Sequence, residues 1–351
     1  MNPDTVFQSE LNQTTNRLEE VLELTDPAKV EIEPLFTSDV EQVHDPVVKR
    51  FGLKFGSRTA YFTKPALCQF LGVIGVPAQF AFKINDTLYK ECVDQMLSDN
   101  LIKMKLMLRN KDTIAGVYRD SHIFVDCAQF VDELGEVRQT HQFREGSITD
   151  RGVGLYFEPL EKQSFAPIQN REDLFNVGVS FFLGQRSGLM LGHPYIFRHA
   201  CSNIGVSVAK DRGSRMVEMI KKESAAGSYY NRMVEHYSAE RYTALKTEMQ
   251  ARVEGIHEKK LTDFQYDLVF NSLNRMLGKE VSLALLSMDE KDHKRIYETI
   301  QYKKKMNQIS LTMQTDLDIK NFDCFNTITA ASKGYQGGER MQLQEIGGLL
   351  V

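Results

Sequence analysis

The chain of 351 residues has no tryptophan, nine prolines and five cysteines. Cys68, Cys92, Cys127, Cys201 and Cys324 are odd in number, widely spaced and form no CxxC pair. That pattern excludes a disulfide framework and a zinc ribbon, and a reducing compartment suits it. Long apolar runs are missing as well. The longest stretch without a charge, between Lys64 and Lys83, is interrupted by Gln69, Gly72, Gly75, Pro77 and Gln79, so it reads as a buried helix and turn, not a membrane span. Met1 to Glu10 lacks the basic and then apolar pattern of a leader. A cytoplasmic protein with no membrane association is the expectation. Excess charge of one sign is also absent, with 43 Lys and Arg against 47 Asp and Glu and a net charge of −4. With 42% hydrophobic and 26% charged residues, the composition excludes disorder, collagen and filament, and the length suits two domains or one large one.

What is present is an uneven distribution of charge. Residues 1–46 hold eleven acids against Arg17 and Lys29, a net of −9. Residues 47–111 hold eleven Lys and Arg against Asp86, Glu91, Asp94 and Asp99, a net of +7, with Phe51, Phe55, Tyr61, Phe62 and other aromatics interleaved. A second basic stretch, Arg198 to Lys222, is +4.

Local patterns divide the chain into four parts. Residues 1–46 read as an acidic N-terminal arm with one short helix around Asn12 to Leu24. Residues 47–104 read as a basic helical segment, because Thr63 is placed to cap a helix that opens with Pro65, and Val76-Pro77 breaks it. Residues 105–210 form a β-rich core. Strands are expected near 105–109, 113–118, 122–126, 141–149, 153–158 and 174–183, and Leu174–Leu183 pairs with Leu189–Phe197 across Gly184 to Gly188. Residues 211–351 return to helices and end in an apolar tail, Ile346 to Val351. Tyr230, Met233, Tyr237, Tyr242, Leu245, Met249 and Val253 follow helical spacing, and Thr262 to Gln265 and Ser287 to Glu290 are capping-box patterns. The expected fold class is α+β, a central antiparallel β-sheet flanked by N-terminal and C-terminal helical parts.

Reactive side chains are sparse. His193, His199 and Cys201 lie within eleven residues, but zinc needs three or four ligands and no second pair accompanies them. Gly184-Gln185-Arg186-Ser187-Gly188 lacks phosphate-loop spacing, and Gly152-Val153-Gly154 lacks the third glycine of a dinucleotide fingerprint. Turn glycines account for both. Neither a cofactor nor a metal is expected, and an enzyme is the least supported reading.

Lysines and arginines along a groove, with rings for stacking, meet the requirement for binding single strands without sequence preference. The candidate contacts are Lys49, Arg50, Lys54, Phe55, Arg58 and Tyr61 in the first basic stretch and Arg198, Lys210, Arg212 and Arg215 in the second. Against them stand the possibility that the rings are core and the lysines ordinary surface, and an isoelectric point near 6.1, well below that of a dedicated nucleic-acid-binding domain.

Leu67 to Pro77, Phe175 to Gly178, Phe197 to Asn203, Asn326 to Thr329 and Ile346 to Gly348 occur in an order that resembles the phage and plasmid family called domain of unknown function 932. The resemblance spans about residues 60 to 351. One departure is Ile204, which stands between Asn203 and Gly205 where the family has glycine directly after asparagine. The resemblance implies a protein carried by bacteriophages or mobile elements, located in the host cytoplasm, with no reaction attached. Two readings follow. One is a protein that binds or anneals single-stranded DNA in recombination or replication, forms a homo-oligomer and is shielded by its acidic arm. The other is a non-catalytic assembly protein that oligomerises through its arm and apolar tail.

Overall fold

A computed structural model describes residues 7–27, 30–45, 50–99, 101–121, 123–161, 175–184, 188–198, 204–207, 216–221, 225–256, 262–287 and 321–350. The fold is α+β and is built on two sheets, antiparallel apart from one strand pair.

The acidic stretch is not an arm. After β1 (Asn12–Thr15) and α1 (Leu18–Leu24) it supplies β2 (Glu31–Phe36) and β3 (Val40–Asp45). The segment expected to be helical then opens with a hairpin, β4 (Arg50–Phe55) and β5 (Arg58–Phe62), turned by Gly56 at φ +54°. The left-handed region costs glycine nothing. The boundary drawn at 46/47 therefore falls inside the β3–β4 pairing, in which Glu41 lies opposite Lys54. With β6 (Lys103–Arg109) and β7 (Thr113–Arg119) these strands form a six-stranded sheet in the order β2-β6-β7-β5-β4-β3.

Three helices connect β5 to β6: α2 (Lys64–Ile74), α3 (Ala78–Ala81) and α4 (Asp86–Asp99). The Thr63 side chain accepts a hydrogen bond from Ala66 N at 3.3 Å, and Gly75 ends α2 at φ +84°, as the sequence pattern requires. Leu67, Phe70, Leu71 and Ile74 of α2 and Tyr89 and Val93 of α4 pack on Phe51, Leu53, Phe55, Ala60 and Phe62. Each such large apolar side chain contributes roughly 1.5 to 3 kcal/mol. The Val117 N–H of β7 donates to the Gln69 side chain of α2 at 3.0 Å.

Of the expected strand near 122–126, residues 123–126 are irregular instead. Buried Ile123 and Val125 alternate there, and Asp126 caps α5 (Cys127–Glu133), which leads into α6 (Gly135–Thr140). The second sheet has β1, β8 (His141–Thr149), β9 (Gly152–Pro159), β10 (Phe175–Gly184), β11 (Leu189–Arg198) and β12 (Ile204–Ser207) in that order, with β13 (Met216–Met219) also on β11. The expected β10–β11 hairpin forms, from Phe175 opposite Arg198 to Gly184 opposite Leu189, so Gly184 closes the pairing and does not belong to the connection.

One face of this sheet packs on α1, α5 and α7 (Ala226–His236) through Val21, Phe130, Tyr230, Phe157 and Phe181. The remaining helices among the described residues are α8 (Ala239–Ile256), α9 (Asp263–Leu277), α10 (Lys279–Ser287), α11 (Asn321–Ser332) and α12 (Gly337–Gly348). They enclose a second core with Phe175, Val177 and Ile196. The Thr262 capping box is formed. The apolar tail is not free to dock, since Ile346 and Leu350 belong to this core. The second capping-box pattern runs into 288–290, outside the described residues.

Candidate functional site

The side chains of a strand alternate between faces, and in the six-stranded sheet the two faces differ in kind. Met104, Leu106 and Leu108 of β6 point at α2 and α4. Lys103, Lys105 and Met107 point the other way. Register places Ile32 opposite Met107, Pro34 opposite Lys105 and Phe36 opposite Lys103. Across β6, Lys105 faces Tyr118 and Met107 faces Gly116. The Tyr118 ring lies over Gly116, where a Cβ would come within 2.4 Å of its hydroxyl oxygen. In the β4–β5 hairpin Lys54 faces Thr59 and Gly52 faces Tyr61. The second face thus combines Phe36 (41% exposed), Ile32 (44%) and half-buried Tyr61 and Tyr118 with Lys54, Lys103 and Lys105. Its cations sit beside acids: Lys103 and Lys105 lie 3.0 and 4.0 Å from Asp120, and Lys54 lies 3.9 Å from Glu41.

The residues expected from sequence separate accordingly. Arg50, Lys54 and Tyr61 share this face. Phe55 does not: it is 4% exposed in the core beneath the helices and is unavailable to a base while the domain is folded. Arg58 points to the core side, lies over the Phe55 ring and holds both carboxylate oxygens of Glu31. Arg198 ends β11 on the other sheet. Lys49, Lys210, Arg212 and Arg215 lie outside the described residues, as do His199 and Cys201. Sequence reading missed Phe36, Tyr118, Lys103 and Lys105. The signal was present in Lys-Met-Lys-Leu-Met-Leu-Arg, where charge and apolarity alternate, and in Ile32, Pro34 and Phe36 at every second position of an edge strand that tolerates proline.

The seven-stranded sheet carries a second polar locus under α12. Glu145 accepts from Arg340 at 2.6 Å, with side-chain exposures of 14% and 8%. Burial raises the Glu145 carboxyl above its ordinary value, and Arg340 and Arg144 only partly oppose this. Tyr156 and Tyr195 pack edge to face beside this pair, 5.4 Å apart, and burial raises both phenols. Arg144, displaced by a bulge in β8, pairs with Glu158 and lies over the Phe197 ring. Where β8 turns into β9, buried Asp150 accepts from Arg109 (3.1 Å) and from the Leu11 N–H (3.0 Å), which ties the two sheets together. His193 is buried in β11, and its carbonyl accepts from Ser180 Oγ at 3.1 Å.

Among the described residues no three His, Cys, Asp or Glu side chains are grouped to hold a metal ion, and no helix is long and apolar enough to cross a membrane. Comparison with models of known families, with curated proteins and with solved structures finds no match.

Proposed function

We propose that the protein binds single-stranded nucleic acid across the second face of its six-stranded sheet. The observation that carries this reading is the placement of Phe36, Tyr61 and Tyr118 among Lys54, Lys103 and Lys105 on a face that α2 and α4 do not cover. Rings on a sheet offer stacking surfaces to bases, and flanking ammonium groups meet phosphates. The partner acids Asp120 and Glu41 do not forbid this, because exposed ion pairs are worth about 0 to 1 kcal/mol and exchange readily for a phosphate. On this reading, with the resemblance noted in the sequence as its support, the binding serves recombination or replication of a mobile element in the host cytoplasm.

Binding of a fluorescent oligonucleotide should weaken with salt at a log–log slope of about −0.7 per phosphate contact. Lys103→Glu with Lys105→Glu should flatten that slope. Phe36→Ala or Tyr118→Ala should cost roughly 1 to 3 kcal/mol of affinity with little change in melting temperature for the exposed Phe36. No binding of DNA or RNA single strands at low salt by folded protein rejects the reading.

The alternative is assembly with a second copy, and β13 favours it. Val217 and Met219 are exposed on this strand at the margin of the seven-stranded sheet, an arrangement that natural monomers avoid. Light scattering should give a multiple of the 40.1 kDa chain mass, and Val217→Lys should return it to the monomer value. A monomer at all concentrations removes the assembly reading.

A further inference from the structure

We propose that the cleft between the β8–β9 turn and the first turns of α12 binds a small organic cation, an ammonium group on an apolar stem. The cleft has a volume of about 680 Å³, within the range of sites that enclose small molecules. Phe182, Leu191 and Met341 are among its apolar lining residues. Two glycines of β9 make room for these side chains. A Cβ at Gly152 would lie 2.9 Å from the Phe182 ring, and one at Gly154 would lie 2.9 Å from Met341 Sδ. An apolar stem therefore meets one ring and two flexible aliphatic chains.

The rim has the opposite character. Glu10, Glu339 and Glu345 line it with Asp150 and Arg151. Asp150 already holds Arg109 and the Leu11 N–H, so its role is to fix the turn. Partial desolvation of Glu10 is the main cause that raises its carboxyl; repulsion from Asp150 and, least, from Glu339 adds to the shift, and Arg151 and Lys64 oppose it. A cation entering the cleft relieves that repulsion, whereas an anion aggravates it. A bare metal ion fits poorly, because the apolar side of the cleft supplies no ligands. The site lies on the seven-stranded sheet, so its test is independent of the nucleic-acid face.

The test is calorimetric titration of the full chain with 2-phenylethylamine and, in parallel, with its neutral analogue 2-phenylethanol. Expected is saturable binding of the amine, at least about tenfold tighter than the alcohol. The double variant Glu10→Gln/Glu339→Gln should lose about tenfold for the amine and nothing for the alcohol. Both positions are exposed, so its melting curve should match the parent. Because the chain has no tryptophan, Gln342→Trp on the rim supplies an optical reporter that should change with the amine and saturate with the same midpoint. Absence of saturable amine binding, equal binding of amine and alcohol, or unchanged binding in the double variant overturns the proposal. Tighter binding of N-acetyl-lysine methylamide than of the free amine would reassign the site to a partner's lysine and likewise overturn it.

Discussion

Glu145→Ala is expected to destabilise the protein by about 3 to 5 kcal/mol, because it removes the carboxylate to which the buried Arg340 guanidinium donates between β8 and α12. Arg340 is buried and donates to Glu145 at 2.6 Å, so water cannot easily replace the lost partner. The pair itself is not strongly stabilising. Burial holds the Glu145 carboxyl above its ordinary value even with Arg340 beside it, which means that desolvation outweighs the attraction. Replacing both residues, as Glu145→Leu with Arg340→Met, should therefore recover most of the loss. Urea unfolding of the two single variants and the double variant measures the coupling. A single-variant cost below about 1 kcal/mol would show that solvent reaches the pair and that its burial carries no energetic weight.

The second large effect is expected in acid. His141 begins β8, buried, with Nδ1 2.9 Å from Thr140 Oγ1 and its ring edge-on to Tyr242 at 4.5 Å. Burial lowers its pKa to about 4, although a hydrogen bond with the Val137 backbone works the other way. The unfolded chain, with an ordinary value near 6.5, takes up a proton first. Stability from this group is therefore complete above about pH 6.5, falls as the pH drops toward 4 and levels off below it, a total of about 3 kcal/mol. Between pH 7.5 and 5 the parent should lose about 2 kcal/mol more than His141→Gln, read from urea midpoints at each pH. Equal slopes for the two proteins, or an NMR titration of His141 centred near 6.5, would refute the assignment.

Deleting residues 1–46 now has a different meaning from the removal of a shielding arm. It takes out two strands of a sheet, β2 and β3, and with them the acids that face Arg58 and Lys54. Glu31 and Glu41 of the acidic stretch pair with Arg58 and Lys54 of the basic stretch within one sheet. A run of charge along the chain says nothing about its face, because neighbours in a strand point to opposite sides. Lys54 and Phe55 are adjacent in sequence, yet one is exposed and the other is core.

Signals confined to a few neighbouring residues were readable without a structure. The Thr63 cap and the stop at Gly75 and Pro77, the Thr262 capping box, the β10–β11 hairpin and the helical spacing from Tyr230 to Val253, which the structure divides between α7 and α8, follow from spacing and turn chemistry, and with them the α+β class. The short strands β2 to β5 escaped because each is six residues or fewer, and a run that short is decided by which strand it finds as partner. Tertiary structure alone decided which face of the six-stranded sheet the helices cover, and hence that Tyr61, Phe36 and Tyr118 lie on the other face while Phe55 is buried. It alone joined Glu145 to Arg340, 195 residues apart, and Arg109 to Asp150. Alternation shows that a strand has two faces, but burial of one of them depends on helices from elsewhere in the chain, and contacts of that range leave no local pattern.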